Sequence, residues 1–224
     1  MAYIIGVVSQ KGGCGKSTIA RLLATEFARQ DGNGWDVKIA DLDVSQATSF
    51  HWMRRRHEAG ATPEIRVESY QRVEKAIADA DQFDVMVLDG APHATAATHQ
   101  VAKAAHLVVI PTGTALDDLD PAVRLAHELK AAGVPKQKII FVITRTGESE
   151  AETNEARQYL SSPGYQVAPG SMPERTAYRR ASDLGYAATE TKFPSLNEAA
   201  RTLFGHLIAP LEQQQEQSKQ EDAA

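Results

Sequence analysis

A chain of 224 residues, 42% hydrophobic and 24% charged, has enough apolar material for one sizeable core and predicts a single globular domain over 1–211. A formal net charge of −5 excludes a uniformly basic surface, so contact with nucleic acid requires a local patch. No run approaches the roughly 18 apolar residues that cross a bilayer, and a lone cysteine, Cys14, forms no internal disulfide, so a cytoplasmic protein without stable membrane insertion is expected.

The first apolar run, Tyr3–Val8, begins almost at Met1; the expectation is a chain without signal peptide or appended DNA-binding module. Behind this predicted strand stands Gln10-Lys11-Gly12-Gly13-Cys14-Gly15-Lys16-Ser17-Thr18, and then one-face helical spacing of Ile19, Leu22, Leu23 and Phe27. Strand, glycine loop and helix in this order form a phosphate cradle. Glycines admit the anion without Cβ obstruction, and the helix N-terminus adds partial positive charge. Gly12, Gly13, Cys14, Gly15 and Thr18 are the candidate loop contacts, Lys16 the candidate partner of β- and γ-phosphates, and Ser17 a candidate Mg²⁺ ligand. A chance glycine-rich turn is the competing reading, and the flanking strand and helix count against it.

Asp31-Gly32-Asn33-Gly34 predicts the turn that ends the first helix. A second β-branched run, Val37–Leu42, ends in Asp41 and Asp43, which share one face by the period of two. Further on, Trp52 reads as core, and Arg54-Arg55-Arg56 reads either as a solvated helix end or as a contact for DNA or a partner. The run Val85–Leu88 delivers Asp89. An Asp at the tip of an apolar strand needs metal, water or a donor, so Asp89 is the candidate to hold Mg²⁺ through water. Asp41 and Asp43 are further candidates to hold the metal through water, Asp41 being alternatively the cap of a following helix.

Strands are also predicted at Leu107–Ile110 and Ile139–Ile143, with a helix carrying Val123, Ala126 and Leu129 between them. This alternation predicts an α/β fold, a mostly parallel twisted sheet covered by helices on both faces. A last helix carries Leu196, Ala199, Ala200, Leu203, Phe204, Leu207, Ile208 and Leu211 as one stripe, read as packing on the core, and residues 212–224 read as a frayed polar, acidic tail.

The pattern Lys-Gly-Gly-x-Gly-Lys-Ser, with Lys11 ahead of the second half of the loop, resembles the deviant Walker A signature of the ParA/MinD P-loop NTPases, closest to the small ParA-type partition proteins. The resemblance continues through the two Asp strands, Ala115-Leu116-Asp117, Val142-Ile143-Thr144-Arg145 and Pro173-Glu174-Arg175. It implies slow, partner-stimulated hydrolysis of ATP with Mg²⁺ in an ATP-bound homodimer. Lys11 would reach the partner's phosphates, Asp43 would orient the attacking water, Pro173 would lie by the adenine, and Asp117 would act in dimer-linked switching. It further implies nonspecific DNA binding through Arg175, Arg179, Arg180, Lys192 and Arg201, a nucleoid-associated location, and a ParB-like or other adaptor that stimulates hydrolysis to partition or position a cargo. Solvated ion pairs are the competing reading of those cations. The chain departs from the small ParA pattern at Val44-Ser45-Gln46, where Pro-Gln is usual, and Trp52 falls one residue late.

A membrane-associated MinD-like ATPase would need a basic amphipathic C-terminal helix, whereas an acidic, glutamine-rich segment follows the stripe. An iron–sulfur relative would need more cysteines than Cys14. A metabolic P-loop enzyme would need a second substrate motif, and an ATP-dependent switch with negligible turnover differs only in its rate.

Overall fold

The computed structural model describes residues 2–29, 34–92 and 96–221; the Asp31–Asn33 part of the predicted turn lies outside them. Seven strands, β1 (Tyr3–Val7), β2 (Val37–Asp41), β3 (Arg66–Ser69), β4 (Val85–Asp89), β5 (Leu107–Thr112), β6 (Ile139–Thr146) and β7 (Gln166–Pro173), form one sheet in the order β3-β2-β4-β1-β5-β6-β7. Every pairing is parallel, as expected when helices return the chain between strands.

The period of two sorts the strand residues into two cores. Ile5, Val7, Val85, Val87, Leu107, Val109, Ile140 and Val142 face one side. There they meet α1 (Lys16–Arg29), α2 (Thr48–Glu58), α7 (Thr176–Asp183) and α8 (Pro194–Glu221). Ile4, Met86, Leu88, Val108, Ile110, Phe141 and Ile143 face the other side. They pack on α3 (Val73–Asp79), α4 (Ala96–Ala104), α5 (Leu116–Ala131) and α6 (Glu150–Ser161). Strands buried on both faces explain the continuous apolar runs at β1, β4 and β5.

The α8 stripe packs as expected from Ala200 to Leu211 and is used up by the core; Ala199 is exposed, and the helix itself continues to Glu221. The edges β3 and β7 were not among the predicted strands. In β3 only Val67 is buried, and β7 carries Pro169 and buries Ala168 and Met172, so neither makes an apolar run.

β1 occupies the centre of the sheet, yet α1 carries the chain past β4 to β2, while β5 lies on the other side. The crevice for a ligand therefore opens at the carboxyl end of β1. In register there, Asp41 of β2 lies level with Asp89 of β4, and Val7 level with Asp89 on its other side.

A glycine sets the approach of α7 to α2. Gly185 follows α7 with φ +82, the left-handed position that closes a helix, and the Tyr186 amide returns to the Ala181 carbonyl. A Cβ at Gly185 would lie 2.2 Å from the Arg56 amide nitrogen and 2.4 Å from its Cα. Backbone on backbone cannot yield without moving α2. Gly185→Ala should therefore destabilise the chain by about 2–4 kcal/mol from overpacking and the left-handed φ, measured by urea unfolding; a change within experimental error would show that the two helices separate freely.

Candidate nucleotide and magnesium site

The loop from Val8 to Gly15 leaves β1 and feeds α1, with Gly13 at φ 77 and Gly15 at φ 90, conformations that residues with a Cβ rarely adopt. Its inner face is polar. Lys16, 8% exposed, donates from Nζ to Ser9 Oγ and to the Lys11 carbonyl, each at 3.2 Å. Ser9 Oγ also donates to the Lys11 carbonyl at 2.8 Å and lies 2.8 Å from Cys14 Sγ, so the thiol is buried against the loop. The ammonium is thus held where the loop amides would meet a phosphate, and Ser17 and Thr18 follow in the first turn of α1.

β6 clasps the loop from the side. Thr144 Oγ1 donates to the Cys14 carbonyl at 2.7 Å, and Arg145 Nη1 donates to the Gly13 carbonyl at 3.1 Å. Arg145 itself sits at φ 56, beside a register shift between β6 and β7. A non-glycine residue held there is strained, and strain of this sort collects at ligand clamps. The sequence offered Thr144 and Arg145 only as part of the resemblance, without this role.

A cavity of about 570 Å³, within the range of small-molecule sites, opens beside the loop and is lined by Gly13, Gly15, Thr18, Arg145, Pro173 and Tyr178, among others. Pro173, which the resemblance assigns to the adenine, is one of these lining residues. Arg175, Arg179 and Arg180 line this cavity too. Arg175 pairs with Glu148 at 3.7 Å and Arg179 with Glu174 at 2.7 Å. Arg201 lies apart on α8, 3.7 Å from both Glu26 and Glu198, and Lys192 is exposed just before α8. Of the five predicted DNA cations, three line the cavity, and Lys192 and Arg201 are not among its lining residues.

The carboxylates have distinct surroundings. Asp89, 2% exposed, accepts from Ser49 Oγ through Oδ2 at 2.7 Å, while its Oδ1 is buried without a hydrogen-bond partner among the described residues. Burial pushes its carboxyl up to about 6, against the opposing influence of the Ser49 and Ser17 hydroxyls and Arg21. A buried carboxylate influenced by the Ser17 hydroxyl at the start of α1, with one oxygen lacking a hydrogen-bond partner among the described residues, fits a divalent cation and its waters. Ser17 and Asp89 would hold Mg²⁺.

Asp41 is committed elsewhere. Its Oδ2 accepts the Ser49 and Phe50 amides at 2.9 and 3.1 Å and its Oδ1 the Asp43 amide at 3.2 Å, so it caps α2 from the neighbouring strand. Asp43 is half-buried and accepts from Ser45 Oγ at 2.6 Å and the Gln46 amide at 3.2 Å. These bonds shape the turn through Val44-Ser45-Gln46, the segment that departs from the small ParA pattern. Ala47, at φ 45, completes the entry to α2.

Of the basic run in α2, Arg54 is exposed, but Arg56 is 1% exposed and pairs with Glu190 at 2.7 Å while donating to the Pro63 and Gly185 carbonyls. A solvated helix end describes Arg54 alone. Trp52 is fully buried, as expected of core. Lys11 is half-exposed; its Nζ lies 2.6 Å from Asp118 Oδ1 in the first turn of α5, beside Asp117.

Asp89→Asn keeps an acceptor for Ser49 and removes the buried charge. The carboxyl takes up its proton near pH 6 when folded and near its ordinary 3.8 when unfolded. This group therefore adds stability to the nucleotide-free protein as pH falls across that window and subtracts it at neutral pH. The variant should gain up to about 3 kcal/mol at pH 7, shrinking toward pH 4, in urea unfolding without magnesium; an equal loss at pH 7 would show that the carboxylate is not a net cost.

The chain matches the model of the CobQ/CobB/MinD/ParA nucleotide binding domain over residues 5–185. It is 24% identical over 198 residues to "Maintenance of carboxysome distribution protein A" of Gloeobacter kilaueensis, covering 88% of each chain. Among solved structures, it is similar to the septum site-determining protein MinD of Pyrococcus horikoshii complexed with Mg-ADP, at a TM-score of 0.75 and 18% identity over 93% of this chain and 97% of that one. It is also similar to the ATP complex of a single-residue variant of Cyanothece McdA, at a TM-score of 0.68 and 15% identity over 92% of this chain and 96% of that one. With more than half of its length matched to the family model, the chain belongs to the CobQ/CobB/MinD/ParA family of nucleotide-binding domains.

Proposed function

We propose that this chain is a ParA-type ATPase that dimerises on ATP and positions an intracellular cargo, with nonspecific DNA as its track and an adaptor protein as the trigger of hydrolysis. The observation that carries the reading is Lys11: a lysine on the open side of the phosphate loop, outside the Lys16 position, held by one partly exposed ion pair with Asp118. Exposed pairs are weak, so Lys11 is free to exchange Asp118 for a phosphate of a second copy. ATP favours a closed dimer only to the extent that it binds that state more tightly than the open one, and Lys11 in trans supplies such a difference.

In hydrolysis of ATP to ADP and phosphate, Lys16 neutralises the β- and γ-phosphates. When bound, Mg²⁺ would supply further neutralisation of phosphate charge. Ser17 and Asp89 hold its place, and Asp43, nearer the surface, orients the attacking water. Lys11 adds charge where the transferring group becomes more negative, as an arginine finger does. Asp41 supports the site by fixing α2.

The curated relative named for carboxysome distribution supports cargo positioning; a plasmid or a chromosome region is served by the same cycle. A membrane-anchored cycle is disfavoured because the apolar stripe of α8 is packed in the core. Among the described residues no helix is long and apolar enough to cross a membrane. The proposed DNA contacts are Arg180, Lys192 and Arg201, with Arg175 and Arg179 joining them if nucleotide closure frees them from Glu148 and Glu174.

Binding to nonspecific duplex DNA should appear with ATP, not with ADP or without nucleotide, and weaken steeply with salt. Lys11→Ala should abolish it, whereas Asp118→Ala, which releases Lys11, should shift ATP-dependent dimerisation to several-fold lower ATP. DNA binding by no nucleotide state would remove the DNA-track cycle and favour a metabolic or membrane-linked P-loop function.

A further inference from the structure

We propose that Ser49 and Arg21 form a buried relay that fixes Asp89 for magnesium, both acting as positioning residues; this deepens the nucleotide–magnesium reading above and rests on it. Ser49 is fully buried in the first turn of α2, and Arg21, 4% exposed, lies one turn beyond Ser17 on α1. Arg21 Nε donates to Ser49 Oγ at 3.3 Å, and Ser49 Oγ donates to Asp89 Oδ2 at 2.7 Å.

The direction of this chain is fixed by chemistry. A guanidinium only donates, so the serine oxygen accepts from Arg21 and has its one proton left for Asp89. Oδ2 is thereby occupied, and Oδ1 remains the oxygen without a hydrogen-bond partner among the described residues. Because the Ser49 amide also bonds to Asp41, one residue ties both strand-end carboxylates to the start of α2.

A purely structural arginine explains less. Arg21 stacks 5.5 Å from the centre of the Trp52 ring, a place that an aliphatic side chain would fill without burying charge. Arg21 retains its charge against desolvation and still leaves Nη2 without a partner among the described residues, while Nη1 donates to Ser182 Oγ of α7 at 2.9 Å. Only a multiple donor can order the serine on one side and hold α7 on the other. Hydrogen-bonding neighbours of this kind orient metal-holding carboxylates, and their loss typically lowers metal affinity about 10–100-fold.

The test is the magnesium dependence of binding of fluorescently labelled ADP to the full chain, read against its affinity in EDTA, for Ser49→Ala, Arg21→Met and Ser182→Ala. The relay predicts that Ser49→Ala keeps the EDTA affinity close to that of the parent but needs about 10–100-fold more Mg²⁺ for half its effect. Arg21→Met should shift in the same direction, and Ser182→Ala, which leaves Asp89 its donor, should not. An unshifted Ser49→Ala, with a normal response in the parent, overturns the relay alone, as does a Ser182→Ala shift as large as that of Ser49→Ala. If the parent chain shows no magnesium effect at all, the underlying magnesium–nucleotide reading fails first.

Discussion

Placing a carboxylate at the end of a strand that is buried on both faces is the constraint around which much of this molecule is arranged. β4 contributes four apolar residues to the two cores and then Asp89, with no solvent to share the charge. Burial alone would drive such a group to bind a proton, and its carboxyl is indeed pushed up to about 6. What keeps it serviceable is a short set of neighbours drawn from different elements: the Ser49 donor from α2, and the Ser17 hydroxyl and the charge of Arg21 from α1. Each of those elements must be positioned in turn, and that requirement spreads outward.

Helix α2 is held at its start by Asp41 and along its length by Arg56, whose guanidinium joins Glu190 and the carbonyls of Pro63 and Gly185. A buried pair such as Arg56–Glu190 adds little net stability, because desolvation offsets attraction, but removing one partner strands the other. Its effect is to fix geometry. Gly185 lets the turn after α7 rest on the α2 backbone, and Arg21 ties Ser182 of α7 to Ser49 of α2. The helix that carries Arg179 and Arg180 is thus joined through two hydrogen bonds to the serine that donates to Asp89.

These arrangements were legible to different degrees. Strands covered on both faces, β1, β4 and β5, wrote themselves into the sequence as apolar runs, and the phosphate loop did so through glycine and lysine spacing. The edges β3 and β7 did not, because half of an edge strand's surroundings is solvent and its residues need not be apolar. Asp89 was legible because an acid at the tip of an apolar run demands a partner. Ser49 carried no signal, since a serine near a helix start is common and its bonds to Asp41 and Asp89 cross 8 and 40 residues of chain. Arg21 had a faint one: it interrupts the buried series Ile19, Ala20, Leu22 and Leu23, where a charge calls for a reason. Arg56 was misread with its neighbours as surface, because a run of three arginines hides the one that points inward.

The placement of the α7 arginines bears on how an acidic chain would touch DNA. With a net charge of −5, long-range attraction to a polyanion is poor, so a productive surface has to be concentrated and exposed at the right moment. Arg175 and Arg179 are neutralised by Glu148 and Glu174, and together with Arg180 they line the cavity that also contains the phosphate loop. Glu174 is itself shared with Arg145, the strained residue that clasps Gly13. Any movement of the loop on nucleotide binding therefore acts on Arg145, then on Glu174, and then on the charge available from Arg179. A basic surface built in this way would depend on nucleotide through local ion-pair exchange, without a large rearrangement of the sheet, and this is the form of coupling that a positioning ATPase requires.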